Sequence, residues 1–112
     1  MNNIKKQAAV FSALADPARL KILQLLSNQK NPDALCVNAL TYMLEITQPA
    51  VSQHLKILKD AGLVQGQKRG NHVHYSVNAE ALENCQKLIV AFMKPSDQKT
   101  EDSCQGCHRN SK

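Results

Sequence analysis

The stretch from Thr47 to Gly62, Thr-Gln-Pro-Ala-Val-Ser-Gln-His-Leu-Lys-Ile-Leu-Lys-Asp-Ala-Gly, leaves the chain few local choices. Thr47 offers a side-chain acceptor ahead of a helical pattern, and Pro49 falls in the first turn, where its missing N–H would be unpaired anyway. Gly62 closes the segment as a left-handed cap. Between them Val51, Leu55 and Leu58 recur at i, i+4, i+7 and line one face. The opposite face carries Pro49, Ser52, Gln53, Lys56 and Asp60, with Gln48 at the exposed entrance. Short hydrogen-bonding side chains crowd the N-terminal end, and acidic residues are nearly absent. That composition suits a helix entering the major groove N-terminus first, with amides and hydroxyls at base edges and lysines at phosphate.

The flanking sequence makes that reading specific. Upstream, Cys36 to Glu45 has the pattern of a short helix, joined to the next by the turn Glu45-Ile-Thr47. Downstream, Leu63–Arg69 and His72–Val77 flank Gly70-Asn71, a two-residue hairpin signal. A helix, a short turn, a capped helix and a hairpin with Lys68 and Arg69 near its tip make a winged helix-turn-helix, mainly α with a small β-hairpin wing. Three segments, Phe11-Ser-Ala-Leu-Ala-Asp-Pro-Ala-Arg-Leu-Lys-Ile-Leu23, the Gln48–Gly62 helix and Arg69-Gly-Asn-His-Val-His-Tyr75, closely resemble the ArsR/SmtB family of dimeric, metal-responsive repressors. The resemblance runs from about Val10 to Val77. It implies a homodimer in which the first and last helices pack across a two-fold axis. Two recognition helices would then lie about one DNA turn apart, ~34 Å, and require a double-stranded operator with an inverted repeat. On that reading Gln48, Pro49, Ser52, Gln53, Lys56, Lys68, Arg69 and His72 are the DNA-contacting set.

At 112 residues the chain has room for one domain with a modest core. Its aromatics are Phe11, Tyr42, Tyr75 and Phe92, so the core is expected to be Leu, Ile, Val and Ala from helices. The net charge of +5 fits a nucleic-acid partner. No apolar run is long enough to span a bilayer, and none follows Lys5-Lys6 as a leader would, so a cytoplasmic protein without a membrane partner is expected. In that compartment the four cysteines stay reduced. Neither an acid/base pair nor a nucleophile constellation nor a phosphate loop is visible, which argues against an enzyme.

Taken in order, a first helix is expected over Ile4–Ala15 with Ala8, Phe11, Ala13 and Leu14 as its apolar stripe. Asp16-Pro17 starts a second, running to about Ser27, with Leu20, Ile22, Leu23, Leu25 and Leu26 inward and Arg19 and Lys21 on its polar side. Asn28–Asp33 is rich in turn formers. Asn38 is a candidate cap for the third helix. Asn78 caps a last helix from Ala79 to about Lys94, with Leu82, Cys85, Leu88, Ile89 and Phe92 at helical spacing, and Pro95 ends it. Two units follow: a DNA-binding and dimerisation domain over 1–95, and a polar tail over 96–112 with no hydrophobic period, expected to be mobile.

The thiols carry the remaining chemistry. Cys36 precedes a helix N-terminus, where negative charge is favoured. In the resembled family this position opens a Cys-Val-Cys-Asp-Leu metal box; here it reads Cys36-Val37-Asn38-Ala39-Leu40, and asparagine is a poor ligand for soft metals. The family's other common site, Asp and His pairs on the last helix, is absent. The tail segment Cys104-Gln-Gly-Cys107-His108 offers sulfurs at chelating spacing. Ten residues beyond Lys94 span at most ~33–36 Å, enough to bring them to Cys36. Three thiolates suit As(III) or Sb(III), and four sulfur/nitrogen ligands suit Zn or Cd; Cd, Zn and Pb are the less favoured inducers. DNA binding itself needs no cofactor. The alternative is a thiol-redox or sulfur-species sensor using the same cysteines; Cys104-Gln-Gly-Cys107-His108 also matches a c-type haem attachment pattern, but that chemistry needs export and no leader is expected. Cys85 reads as a small core residue, His54 as structural or a phosphate donor, and His72 and His74 as wing residues.

Overall fold

The computed structural model describes residues 2–30 and 35–94. The expected tail with Cys104, Cys107 and His108 lies outside them, as do Pro95 and the second half of the expected Asn28–Asp33 loop. Seven elements follow in order: α1 Asn2–Leu14, α2 Pro17–Asn28, α3 Val37–Leu44, α4 Gln48–Asp60, β1 Val64–Arg69, β2 His72–Val77 and α5 Ala79–Met93.

The termini are set by short polar residues placed as the sequence suggests. Asp16 caps α2, its Oδ2 accepting from the Ala18 and Arg19 N–H groups at 2.9 and 3.1 Å. Thr47 caps α4 through the Ala50 N–H, and Asn78 caps α5 through the Ala81 N–H. At the far end of α4, Gly62 has φ +81. Its N–H reaches the Lys59 carbonyl at 2.9 Å and the Leu63 N–H reaches the Leu58 carbonyl at 2.9 Å, the paired bonds of a Schellman motif. The start of α3 differs from expectation. Cys36 occupies the N-cap position and makes no side-chain capping bond, while Asn38 lies inside the helix. Cys36 is drawn into extended backbone by the neighbouring strand, so helical geometry begins at Val37.

One core sits under α4. Val51, Leu55 and Leu58 are buried there against Ile22, Leu23 and Leu26 of α2, Leu40 of α3, and Ala13, Leu35, Leu63 and Val64. Leu20, expected inward, is 52% exposed. The buried line of α2 runs through Ile22, Leu23 and Leu26, and a residue 100° around the helix from Arg19 cannot share it. Of the first stripe, Ala13 is buried and Ala8 is exposed.

The hairpin pairs Val64↔Val77 through Arg69↔His72, and Gly70 (φ +63) followed by Asn71 closes it as a II′-type turn. Leu35 and Cys36 lie along the other edge of β2: Tyr75 N–H donates to the Leu35 carbonyl at 3.1 Å, and Cys36 faces His74 across an antiparallel bridge. Gln29 adds a side-chain bond to the Tyr75 carbonyl. The wing is thus bound to the chain that leads into α3.

Within the chain α5 has no buried residue. Between it and α1 runs a cleft of about 120 Å³ lined by Val10, Phe11, Ala81, Cys85 and Leu88 among others. Ile4, Ile89, Phe92 and Met93 remain exposed beside it. Cys85, expected in the core, is half-buried in this cleft.

Candidate nucleic-acid interface

The polar face of α4 is presented as the sequence implies. Gln48, Pro49, Ser52, Gln53 and Lys56 are all exposed while Val51, Leu55 and Leu58 hold the helix to the core. The turn before it is tight: Glu45 ends α3 with φ 58, and its N–H bonds the Thr41 carbonyl. Thr47 takes up the Ala50 N–H and Pro49 has none to offer, so Gln48 and Pro49 stand exposed at the entrance of α4. Lys56 Nζ lies 3.0 Å from Asp60 Oδ2. Both are well exposed, so this pair stabilises by at most about 1 kcal/mol and does not compete seriously with phosphate.

The wing supplies the second set. Strand alternation places Val64, Gly66, Val73, Tyr75 and Val77 toward α4 and the core, and sends Gln65, Gln67, Arg69, His72, His74 and Ser76 to the other face. Lys68 and Arg69 are exposed near the tip and point to opposite faces; Arg69 also donates to Gln67 Oε1 at 3.3 Å. Gly66 has a packing role, since a Cβ there would meet Tyr75 and Val73 side-chain carbons at 3.0 Å.

Cys36, Val37 and Asn38 of the α3 start, Gln48 of the α4 start, and Asn71, His72 and Val73 of the wing enclose one cleft of about 180 Å³. The thiol therefore sits between the entrance of α4 and the tip of the wing. The bridge to His74 is of the non-hydrogen-bonded type, in which facing side chains come closest. The buried Nδ1 of His74 has no hydrogen-bond partner among the described residues, and the His72 and His74 rings are 6.4 Å apart edge-on. Among the described residues no three metal-ligating side chains converge, and Cys85 belongs to the α1–α5 cleft, away from Cys36.

Arg19 was expected on a solvated face and is instead bonded on three sides. Its Nε donates to the Ala13 carbonyl at 2.6 Å, one terminal nitrogen reaches the Ser12 carbonyl at 3.4 Å, and the other lies 3.3 Å from His54 Nδ1 on α4. The signal was present in the spacing, since Arg19 precedes Ile22, Leu23 and Leu26 by 3, 4 and 7 positions and so shares their line. Asp16 stands 3.9 Å from the same Nδ1. The Arg19 N–H chiefly, then the charges of Arg19 and His54 and the Ala18 N–H, hold its carboxyl below the ordinary 3.8, with desolvation opposing.

Residues 16–65 match the model of the bacterial regulatory proteins of the arsR family. The chain belongs to that family. It is 32% identical over 97 residues to the transcriptional repressor SmtB homolog of Synechocystis sp., covering 87% of this chain and 70% of the relative. It is also 32% identical to the arsenical resistance operon repressor of Escherichia coli, over 90% of this chain and 91% of that one. Among solved structures, the homodimeric winged helix-turn-helix DNA-binding domain Mb0332 of Mycobacterium bovis superposes with a TM-score of 0.66 at 25% identity, covering 80% of this chain and 81% of that one. As an arsR-family member the protein is a DNA-binding transcriptional regulator and not an enzyme. Among the described residues no helix is long and apolar enough to cross a membrane.

Proposed function

We propose that the protein is a homodimeric repressor holding an inverted-repeat operator. Gln48, Pro49, Ser52 and Gln53 meet base edges, and Lys56, Lys68, Arg69 and His72 meet phosphate. A thiophilic ion, As(III) or Sb(III), releases it when bound by Cys36 together with Cys104 and Cys107. The observation that carries this reading is the shared cleft of Cys36, Gln48 and His72. A ligand drawing on Cys36 acts at once on the start of α3, the entrance of the reading helix and the wing. An operator that fixes the spacing of two half-sites penalises even a small shift of these elements. A tenfold release needs only about 1.4 kcal/mol of coupling between the two sites. Support for the dimer comes from the exposed apolar flanks of α1 and α5, which one chain leaves uncovered, and from the homodimeric state of Mb0332.

The test is X-ray absorption at the arsenic edge of anaerobic, reduced protein, with and without the segment after Pro95. Three sulfur neighbours in the full chain, lost on truncation together with release from DNA, are the expected result. A truncated protein that binds As(III) and leaves DNA as the full chain does would show that the tail thiols take no part. A disulfide forming without metal under mild oxidation, accompanied by release, would favour thiol-redox sensing instead.

A further inference from the structure

Two helix ends meet beside His54. Asp16 caps the start of α2, Arg19 caps the end of α1 through the Ser12 and Ala13 carbonyls, and the remaining arm of the same guanidinium reaches His54 Nδ1, 3.3 Å away on α4. Arginine has only donors, so Nδ1 accepts this bond in the neutral imidazole tautomer that carries its proton on Nε2. Asp16 Oδ2, at 3.9 Å from the same nitrogen, is beyond hydrogen-bond reach. His54 thus receives one directional bond from the cap of a neighbouring helix, and it lies next to Gln53 on the reading helix.

The geometry points to Arg19 as a positioning residue for DNA recognition, acting through His54 Nδ1 to fix the roll of α4 relative to α1. This inference rests on the reading of α4 as the DNA-facing helix. Val51, Leu55 and Leu58 bury α4 without directional bonds, and apolar contacts alone tolerate small rotations about the helix axis. Side chains end about 5–6 Å from a helix axis, so a roll of about 10° carries the Gln53 amide roughly 1 Å. A hydrogen bond to a base edge has a window of only about 0.5 Å. Phosphate contacts made by flexible lysines survive such a shift. Loss of the pin therefore erodes sequence discrimination while sparing general DNA affinity. Because Arg19 bonds the end of α1, whose other side lines the α1–α5 cleft, the pin also ties the reading helix to the face assigned to the partner protomer.

The test compares His54→Asn with His54→Gln in the full-length protein. The Asn Oδ1 falls near the place of Nδ1 and keeps an acceptor for Arg19; the Gln amide falls near Nε2 and does not. The probes are a duplex enriched from a random library by the wild-type protein and a scrambled duplex of equal length. The readout is the ratio of their Kd values. The inference expects His54→Asn to keep the ratio within about twofold and His54→Gln to lower it about tenfold. Arg19→Lys should match the latter, because one ammonium cannot span three acceptors. Equal ratios for the two His54 variants, whether both retained or both lost, overturn the pin. Gln53→Ala measured alongside separates the failures. If it leaves the ratio unchanged, the assignment of α4 to base readout has failed and the pin with it. If it lowers the ratio and His54→Gln does not, only the pin is refuted.

Discussion

Each helix of the helix-turn-helix ends on a residue in the left-handed region, and the two should respond to substitution in opposite senses. Gly62 (φ +81) ends α4 and Glu45 (φ 58) ends α3. A Cβ at position 62 would meet nothing within 4 Å, so Gly62→Ala tests backbone conformation with no clash. The left-handed penalty for a residue with a Cβ is about 1–2 kcal/mol. Alanine recovers about 0.4–1 kcal/mol by restricting the unfolded chain. The net loss is about 1 kcal/mol, or roughly 4–8 °C in Tm for a domain of this size. Glu45 already carries the penalty and its side chain is exposed. Glu45→Gly should then raise stability by about 0.5–1 kcal/mol, from the same two terms with the signs exchanged. Thermal unfolding followed by circular dichroism at one fixed protein concentration measures both, the fixed concentration removing any contribution from assembly. An unchanged Tm for Gly62→Ala, or a lowered one for Glu45→Gly, would refute the reasoning.

Gly66→Ala forces a Cβ to 3.0 Å from the Tyr75 and Val73 side chains, and overpacking of this kind costs about 1–3 kcal/mol, readable as a lower urea midpoint. The Asp16 carboxyl is held below its ordinary value in the folded state, so its contribution is complete above the unfolded pKa and is lost as pH falls through the depressed folded one. Asp16→Asn, which preserves a capping acceptor, should flatten that acid limb in pH-dependent urea melts below about pH 4; an unaltered limb would remove Asp16 from the account. Gln53→Ala should cost about 1–3 kcal/mol on the enriched duplex and far less on scrambled DNA. Lys68→Ala should weaken both alike and lower the salt slope by about one. Fluorescence anisotropy across a salt series distinguishes the two behaviours.

Much of this architecture was legible because local and tertiary signals agree. Thr47, Pro49 and Gly62 bound α4, and the spacing of Val51, Leu55 and Leu58 gives its buried face; no long-range information is needed for either. Gly70-Asn71 marks the hairpin for the same reason. The reading failed where a distant segment decides. Asn38 is a good cap by residue type, yet pairing of Leu35 and Cys36 with β2 holds the chain extended one residue before Val37, and Cys36 takes the cap position without a capping bond. The hydrophobicity of Leu20 alone suggests an inward position, although the 3.6-residue period reserves that line for Arg19. The charge of Arg19 in turn suggests solvent. Its partners lie at the end of the preceding helix and 35 residues away on α4, and spacing within α2 says nothing of them. The exposed polar face of α4 is legible in its spacing, while the approach of Cys36 to Gln48 and His72 depends on how the wing folds back.

The central claim is that Cys36 links a thiophilic ion to loss of DNA affinity. Fluorescence anisotropy with a labelled duplex from the protein's own promoter, titrated with arsenite or antimonite under reducing conditions, measures this directly. The account predicts that the ion raises the Kd of the wild-type protein by about tenfold or more, equivalent to at least 1.4 kcal/mol of coupling. Cys36→Ser should bind the duplex with the wild-type Kd and ignore the ion, and Cys85→Ser should behave as wild type. Release of Cys36→Ser at the same ion concentration as wild type would contradict the account, as would a wild-type complex indifferent to As(III), Sb(III), Cd(II), Zn(II) and Pb(II) alike.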